Sequence, residues 1–167
     1  HPVRSITQAK KLSGVRYDVR GPILEEAERL EREGHQILKL NIGNPAPFGF
    51  EAPPEILAEI TRALPFAQGY SDSRGILPAR EAVANYYDQL GVQDVGPEHV
   101  LVGNGVSELI SLVLQALVDV DDEILVPSPD YPLWTAQVTL SGGRPVHYPC
   151  DEGNGWMPDL EAIEVLV

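Results

Sequence analysis

Between His99 and Tyr148 the apolar rhythm of the chain changes repeatedly, and this alternation constrains the fold more than any other feature. His99-Val100-Leu101-Val102 is a short run of strand-forming residues, Gly103-Asn104-Gly105 breaks it, and Leu109, Ile110, Leu112, Val113, Leu114 and Leu117 then recur at helical spacing. Asp119, Asp121 and Asp122 end that helix, and Glu123-Ile124-Leu125-Val126 reads as the next strand. A helix is expected near 132–140, and Gly142-Gly143 precedes a strand at 144–148. Strand, helix, strand, helix, strand is the pattern of parallel strands joined by crossover helices. An α/β fold, a parallel-rich sheet flanked by helices, is therefore expected.

The rest of the chain fits around that unit. Residues 1–16 read as a polar arm carrying Lys10 and Lys11. Arg20-Gly21-Pro22 opens a helix with Pro22 at its first position, Ile23, Leu24, Ala27 and Leu30 give its stripe, and Gly34 is a fitting stop. The intervening charges from Glu25 to Glu33 read as a solvated face. Ile37 to Asn41 is expected to be a strand, running into a Gly- and Pro-rich loop over 42–50. Helices are expected over 53–64 and 77–90, with the polar loop Gln68-Gly69-Tyr70-Ser71-Asp72-Ser73-Arg74-Gly75 between them. A helix starts at Asp159, and Val165-Leu166-Val167 reads as the entry to a further strand. That ending is expected of part of a longer fold.

Composition excludes several function classes. The formal charge is −13 over 167 residues, with no basic cluster to interrupt the acidic field, so a nucleic-acid or anionic-membrane partner is not expected. Apolar residues at 43% are too many for a disordered acidic tail. The apolar stretches are broken too soon for a membrane span. The single cysteine, Cys150, has no internal partner, so a reducing cytoplasm is the expected location and a buried, inert thiol the expected state. His35, His99 and His147 lack metal-ligand spacing and are expected at or near the surface. No metal is expected.

Two loops could carry chemistry, because ligands of open α/β sheets bind where strands end and helices begin. In Gly103-Asn104-Gly105-Val106-Ser107-Glu108 the glycines allow close backbone approach, and the N–H groups of Val106 and Ser107 at a helix N-terminus suit a phosphate. A tight turn with Ser107 capping the helix explains the same residues equally well. As a dinucleotide fingerprint the loop is poor, since Glu108 takes the place of the third glycine. In Ser128-Pro129-Asp130-Tyr131-Pro132-Leu133-Trp134 the Tyr131 ring could stack on a flat heteroaromatic ligand, or simply pack.

The segments YDVRGPILEEAERLEREGHQILKLNIGNPAPFGFEAP, AQGYSDSRGILPARE, VGNGVSELISLVLQAL and ILVPSPDYPLWTA resemble, in order and spacing, the class I/II aminotransferases of fold type I, which use pyridoxal 5′-phosphate (PLP), and most closely the alanine aminotransferase group. The resemblance runs from about Lys11 to Leu160. It implies the N-terminal part of that fold: an arm (1–16), the N-terminal segment of a small domain with a substrate loop (17–52), and the first part of the large PLP-binding domain (53–167). It implies that Gly105, Val106 and Ser107 cradle the cofactor phosphate, that Tyr131 stacks on the pyridine ring with Trp134 nearby, and that Tyr70 reaches the phosphate of a partner subunit in a homodimer. Gly43 would lie against the substrate carboxylate, with Tyr17 and Arg20 near the mouth of the site. The implied substrates are an amino acid of the alanine or glutamate type and a 2-oxo acid.

One part of the family pattern is missing. The Schiff-base lysine has no counterpart, because Lys10, Lys11 and Lys39 stand in unrelated contexts, so no catalytic residue is expected in these 167 residues and the chain alone is expected to be inactive. Two other readings remain open at this point: a non-catalytic PLP- or phosphate-binding α/β half acting with a partner chain, and a plain nucleotide-binding domain.

Overall fold

The computed structural model describes residues 7–15, 21–40 and 43–167. Tyr17 and Arg20 lie outside the described residues, as do Asn41 and Ile42. The described residues form two compact units, one of 21–102 and one of 7–15 with 103–167.

In the 21–102 unit, α1 (Pro22–Arg32) begins at Pro22 as expected, and Gly34 just beyond it has φ +92°, a left-handed end that suits glycine. Leu24, Ala27 and Leu30 are half-buried, whereas Ile23 is exposed. On the outer face Arg29 bridges Glu26 and Glu33, which confirms a solvated charge run. Helices α2 (Pro54–Ala63) and α3 (Leu77–Gln89) follow, close to their expected bounds.

Two expected strands of this unit do not form. Residues 35–40 are irregular, and Lys39 turns aside to pair with Glu31 of α1 at 3.0 Å. His99 closes a 3-10 turn at Pro97–His99; Val100 beyond it is extended (φ −104°, ψ 126°), and the Val102 N–H donates to the Arg74 carbonyl at 2.8 Å. A strand is defined by its ladder, and neither segment has one among the described residues. Local propensity was right about extension at Val100 and silent about pairing.

In the second unit, α4 (Val106–Leu117) leads to β1 (Glu123–Ser128), α5 (Leu133–Ser141), β2 (Arg144–Asp151), β3 (Met157–Pro158) and α6 (Leu160–Leu166). β1 and β2 pair in parallel, from Glu123 opposite Arg144 to Ser128 opposite Pro149, with α5 as their crossover. β2 then pairs antiparallel with the short β3, so the sheet is β1-β2-β3 and mixed. The core is Ile110, Leu114, Val126, Leu133 and Val138, with Val118 and Ile124 packed against it. Val126 and Val138 are sealed from solvent. Each such side chain contributes about 1.5–3 kcal/mol by leaving water.

The strand expected at Val165–Val167 is instead the end of α6. The Asp159 carboxylate accepts the Ala162 N–H at 3.0 Å, capping and launching the helix, and its periodicity carries the apolar tail with it. Cys150 is half-buried near the end of β2 rather than fully buried, opposite Pro158 of β3. His35, His99 and His147 are all exposed. Among the described residues no cluster of ligating side chains could hold a metal ion, and no helix is long and apolar enough to cross a membrane.

Candidate active site

The loop before α4 is built around one glycine. Gly105 is the N-cap residue, at φ 82° and ψ 165°, a backbone region that only glycine occupies readily. No side chain caps the helix. The alternative reading of Ser107 as the cap is therefore corrected: Ser107 is already the second helical residue, and Gly105 is the N-cap. Among the described residues nothing accepts the N–H groups of Val106 and Ser107, and both residues are exposed. A side chain placed on Gly105 would meet nothing within 4 Å, so the space in front of the turn is open. The Glu108 carboxylate folds back instead onto the Asn104 N–H and closes the turn from inside. Open amides, a free hydroxyl and the positive end of a helix dipole together suit a phosphate-type anion.

Tyr131 stands in the loop between β1 and α5. Its carbonyl accepts the Trp134 N–H at 3.1 Å, which ties its backbone into the first turn of α5. The Asp130 carboxylate accepts the Thr135 hydroxyl at 3.2 Å, and Thr135 Oγ1 is 2.9 Å from His147 Nε2 on β2. This chain of side chains fastens the loop to the sheet and leaves the Tyr131 ring about half exposed. The Ser128–Pro129 peptide is cis. Leu133 of the first turn of α5 and Ile110 of the second turn of α4 share one core cluster with Val126 of β1. Both helices are thus anchored to the core shared with β1, each close behind the loop that precedes it.

In the 21–102 unit Tyr70 is fully exposed at the start of its loop. The loop itself is tightly held. Asp72 accepts the Arg74 N–H at 2.9 Å and the Arg74 guanidinium at 3.0 Å, and these bonds, with the positive charges of Arg74 and Arg80, hold its carboxyl at about 2 against an ordinary 3.8. Gly43 is exposed, and a side chain on it would meet nothing within 4 Å, so space among the described residues does not require glycine there. A separate depression lined by Asn85, Asp88, Asp94 and Glu98 contains none of the expected site residues, and its carboxylates would repel an anion.

The sequence profile of the family described as "Aminotransferase class I and II" matches residues 35–167. The chain belongs to this family. It is 57% identical over 162 residues to the glutamate-pyruvate aminotransferase AlaA of Escherichia coli strain K12, covering 97% of this chain and 40% of that protein. It is 59% identical over 162 residues to an alanine aminotransferase of Mycobacterium bovis, covering 96% of this chain and 38% of that protein. Among solved structures, an aminotransferase from Escherichia coli superposes with a TM-score of 0.90 at 56% identity, over 98% of this chain and 41% of that one. An alanine aminotransferase from Pyrococcus furiosus gives 0.88 at 34% identity, over 96% and 41%. The chain thus spans about two fifths of the length of these relatives, and its fold is the N-terminal part of the aminotransferase fold.

Within this class I/II aminotransferase chain, the structure brings Gly105, Val106, Ser107 and Tyr131 into one unit, with Tyr70 and Gly43 in the other. Sequence reading missed two residues. Glu108 counted only as a missing glycine, yet its carboxylate closes the cradle turn. Arg80 was not singled out, yet it is 5% exposed. The available signal was an arginine four residues before the buried Ala84, hence on the inward face of α3.

Proposed function

We propose that this chain supplies the phosphate-binding and ring-stacking part of a PLP-dependent aminotransferase that moves an amino group between an amino acid of the alanine or glutamate type and a 2-oxo acid. The observation that carries the reading is the cradle: Gly105 in a glycine-only conformation, followed by two helix-terminal amides that nothing accepts among the described residues. The residues fit the group, because among the described residues the turn offers an open face and unpaired donors, and its one carboxylate, Glu108, is already spent on Asn104.

When bound, PLP supplies the electron sink for chemistry at the amino acid Cα. The residues of this chain hold and orient. The N–H groups of Val106 and Ser107 and the Ser107 hydroxyl donate to the phosphate, with Gly105 allowing the close approach. The Tyr131 ring would pack on the face of the pyridine and hold its plane, so orienting the substrate's Cα bonds. Gly43 offers its backbone to the substrate carboxylate, with Tyr17 and Arg20 near the mouth. Tyr70 donates to the phosphate of the partner subunit in a homodimer. Residues 17–52 belong to the small domain and 53–167 to the large one, and the enzyme is cytoplasmic. Lys10, Lys11 and Lys39 do not serve as the cofactor-bonding lysine, and Lys39 is held by Glu31. The 167 residues alone are therefore inactive.

The test is alanine formation from glutamate and pyruvate by the whole gene product with added PLP, beside cofactor retention after dialysis. Tyr131→Ala should loosen retention and slow turnover. A whole product that neither retains PLP nor forms alanine would refute the reading.

A further inference from the structure

Arg80 is the one charged side chain among the buried residues described, 5% exposed in the first turns of α3. A buried guanidinium persists only when its donors are met, and here its fork is spread over three acceptors. Nε donates to the Gly75 carbonyl at 2.9 Å, Nη1 to the Pro97 carbonyl at 2.9 Å, and Nη2 to the Asp72 carboxylate at 3.4 Å. The first and third acceptors belong to the loop over 68–75 that carries Tyr70; the second lies in the turn before Val100.

The same loop is pinned from two further directions. The Gly75 N–H donates to the Asp72 carbonyl at 2.9 Å, and the Val102 N–H donates to the Arg74 carbonyl at 2.8 Å. Gly75 has φ +101°, and a side chain on it would come within 2.7 Å of the Val102 side chain. Residues 72–75 are therefore a fixed base. Tyr70 sits two residues before that base with its ring fully exposed, so no packing aims it. The restraints nearest to it in the chain are those on residues 72–75.

We infer that Arg80 is a positioning residue: by holding the Asp72–Gly75 turn against Pro97, it sets the aim of Tyr70 and hence how tightly the cofactor phosphate is held. This rests on the reading of Tyr70 as a phosphate donor. Lysine cannot replace the fork, since a single ammonium does not span carbonyls 22 positions apart in the chain and a carboxylate at once.

The experiment is a double-mutant cycle on the whole gene product, reading the PLP dissociation constant for the wild type, Tyr70→Phe, Arg80→Met and the double variant, with Arg80→Lys as a milder form. The cofactor-free proteins are also compared in thermal midpoint and in the rate of tryptic cleavage after Arg74. Tyr70→Phe should weaken PLP binding about tenfold or more, the loss of one bond to a charged group. Arg80→Met should weaken it comparably in the wild type and hardly at all in the Tyr70→Phe background, while speeding cleavage after Arg74. Arg80→Lys, which keeps the charge and the packed stem, should fall between.

An Arg80 effect that is absent, or equally large in both backgrounds, overturns the inference and leaves the Tyr70 reading standing. A Tyr70→Phe variant with unchanged affinity overturns both, for then Arg80 has nothing to aim. Should Arg80→Met fail to fold, Arg80→Lys in the two backgrounds decides by the same criterion.

Discussion

The cradle makes a prediction in which space and backbone disagree. At Gly105 an added Cβ meets no atom within 4 Å, so by volume alone Gly105→Ala is harmless. At Gly103 an added Cβ would lie 2.6 Å from Leu109 Cδ2 and 3.1 Å from Glu108 Oε2, so by volume Gly103→Ala is the damaging change. The backbone ranks them the other way. Gly105 lies at φ 82° and ψ 165°, and alanine held there costs about 1–3 kcal/mol. Gly103 has no positive φ, and the atoms it would strike are ends of side chains on an exposed helix face. Moving Leu109 off its rotamer costs about 0.5–1.5 kcal/mol.

The cost at Gly105 falls on binding more than on folding. Without cofactor the alanine variant relaxes its φ and swings the Val106 and Ser107 amides away; binding the phosphate must restore them. The dissociation constant for PLP should therefore rise by roughly 5- to 150-fold in Gly105→Ala. In Gly103→Ala it should rise several-fold at most, with the larger part of that change removed by a second substitution, Leu109→Ala, which vacates the clashing atom. Titration of PLP into the cofactor-free whole gene product, followed by tryptophan fluorescence, measures all three. Affinity lost more in Gly103→Ala than in Gly105→Ala would refute the argument, because crowding and not backbone conformation would then govern the turn.

Ser107→Ala should weaken PLP binding by about tenfold or more, the value of one hydroxyl bond to a charged group, while leaving the cofactor-free thermal midpoint unchanged, since that hydroxyl caps nothing. A fall in the midpoint would show that the serine supports the helix after all. The Asp72 carboxyl, held at about 2 chiefly by Arg74, lends the Tyr70 loop stability that is complete above its ordinary value near 3.8 and lost as the pH falls from about 4 to 2. A carbon-13 titration of Asp72 should show the lowered midpoint, and Asp72→Asn should remove that acid-dependent step; a midpoint near 3.8 would contradict the Arg74 bonds.

How far the sequence could be read depended on the range of the interaction concerned. The β1–α5–β2 crossover was legible because each element is short, internally periodic and neighbours its partner in the chain, so local pattern and tertiary pairing coincide. The extended segments at 37–41 and 99–102 carried the same residue types, but whether extension becomes a strand depends on a neighbour that local pattern does not specify. The site divides in the same way. The turn at Gly105 and the helix start at Val106 and Ser107 were legible because they lie within three residues of one another. Arg80 was not, because its meaning lies in Asp72 and Gly75 on one side and in Pro97, 17 positions away, on the other. On the inference drawn above, the aim of Tyr70 rests on a side chain that touches no ligand, and a substitution at Arg80 should mimic the loss of the tyrosine without altering any residue of the recognisable pattern.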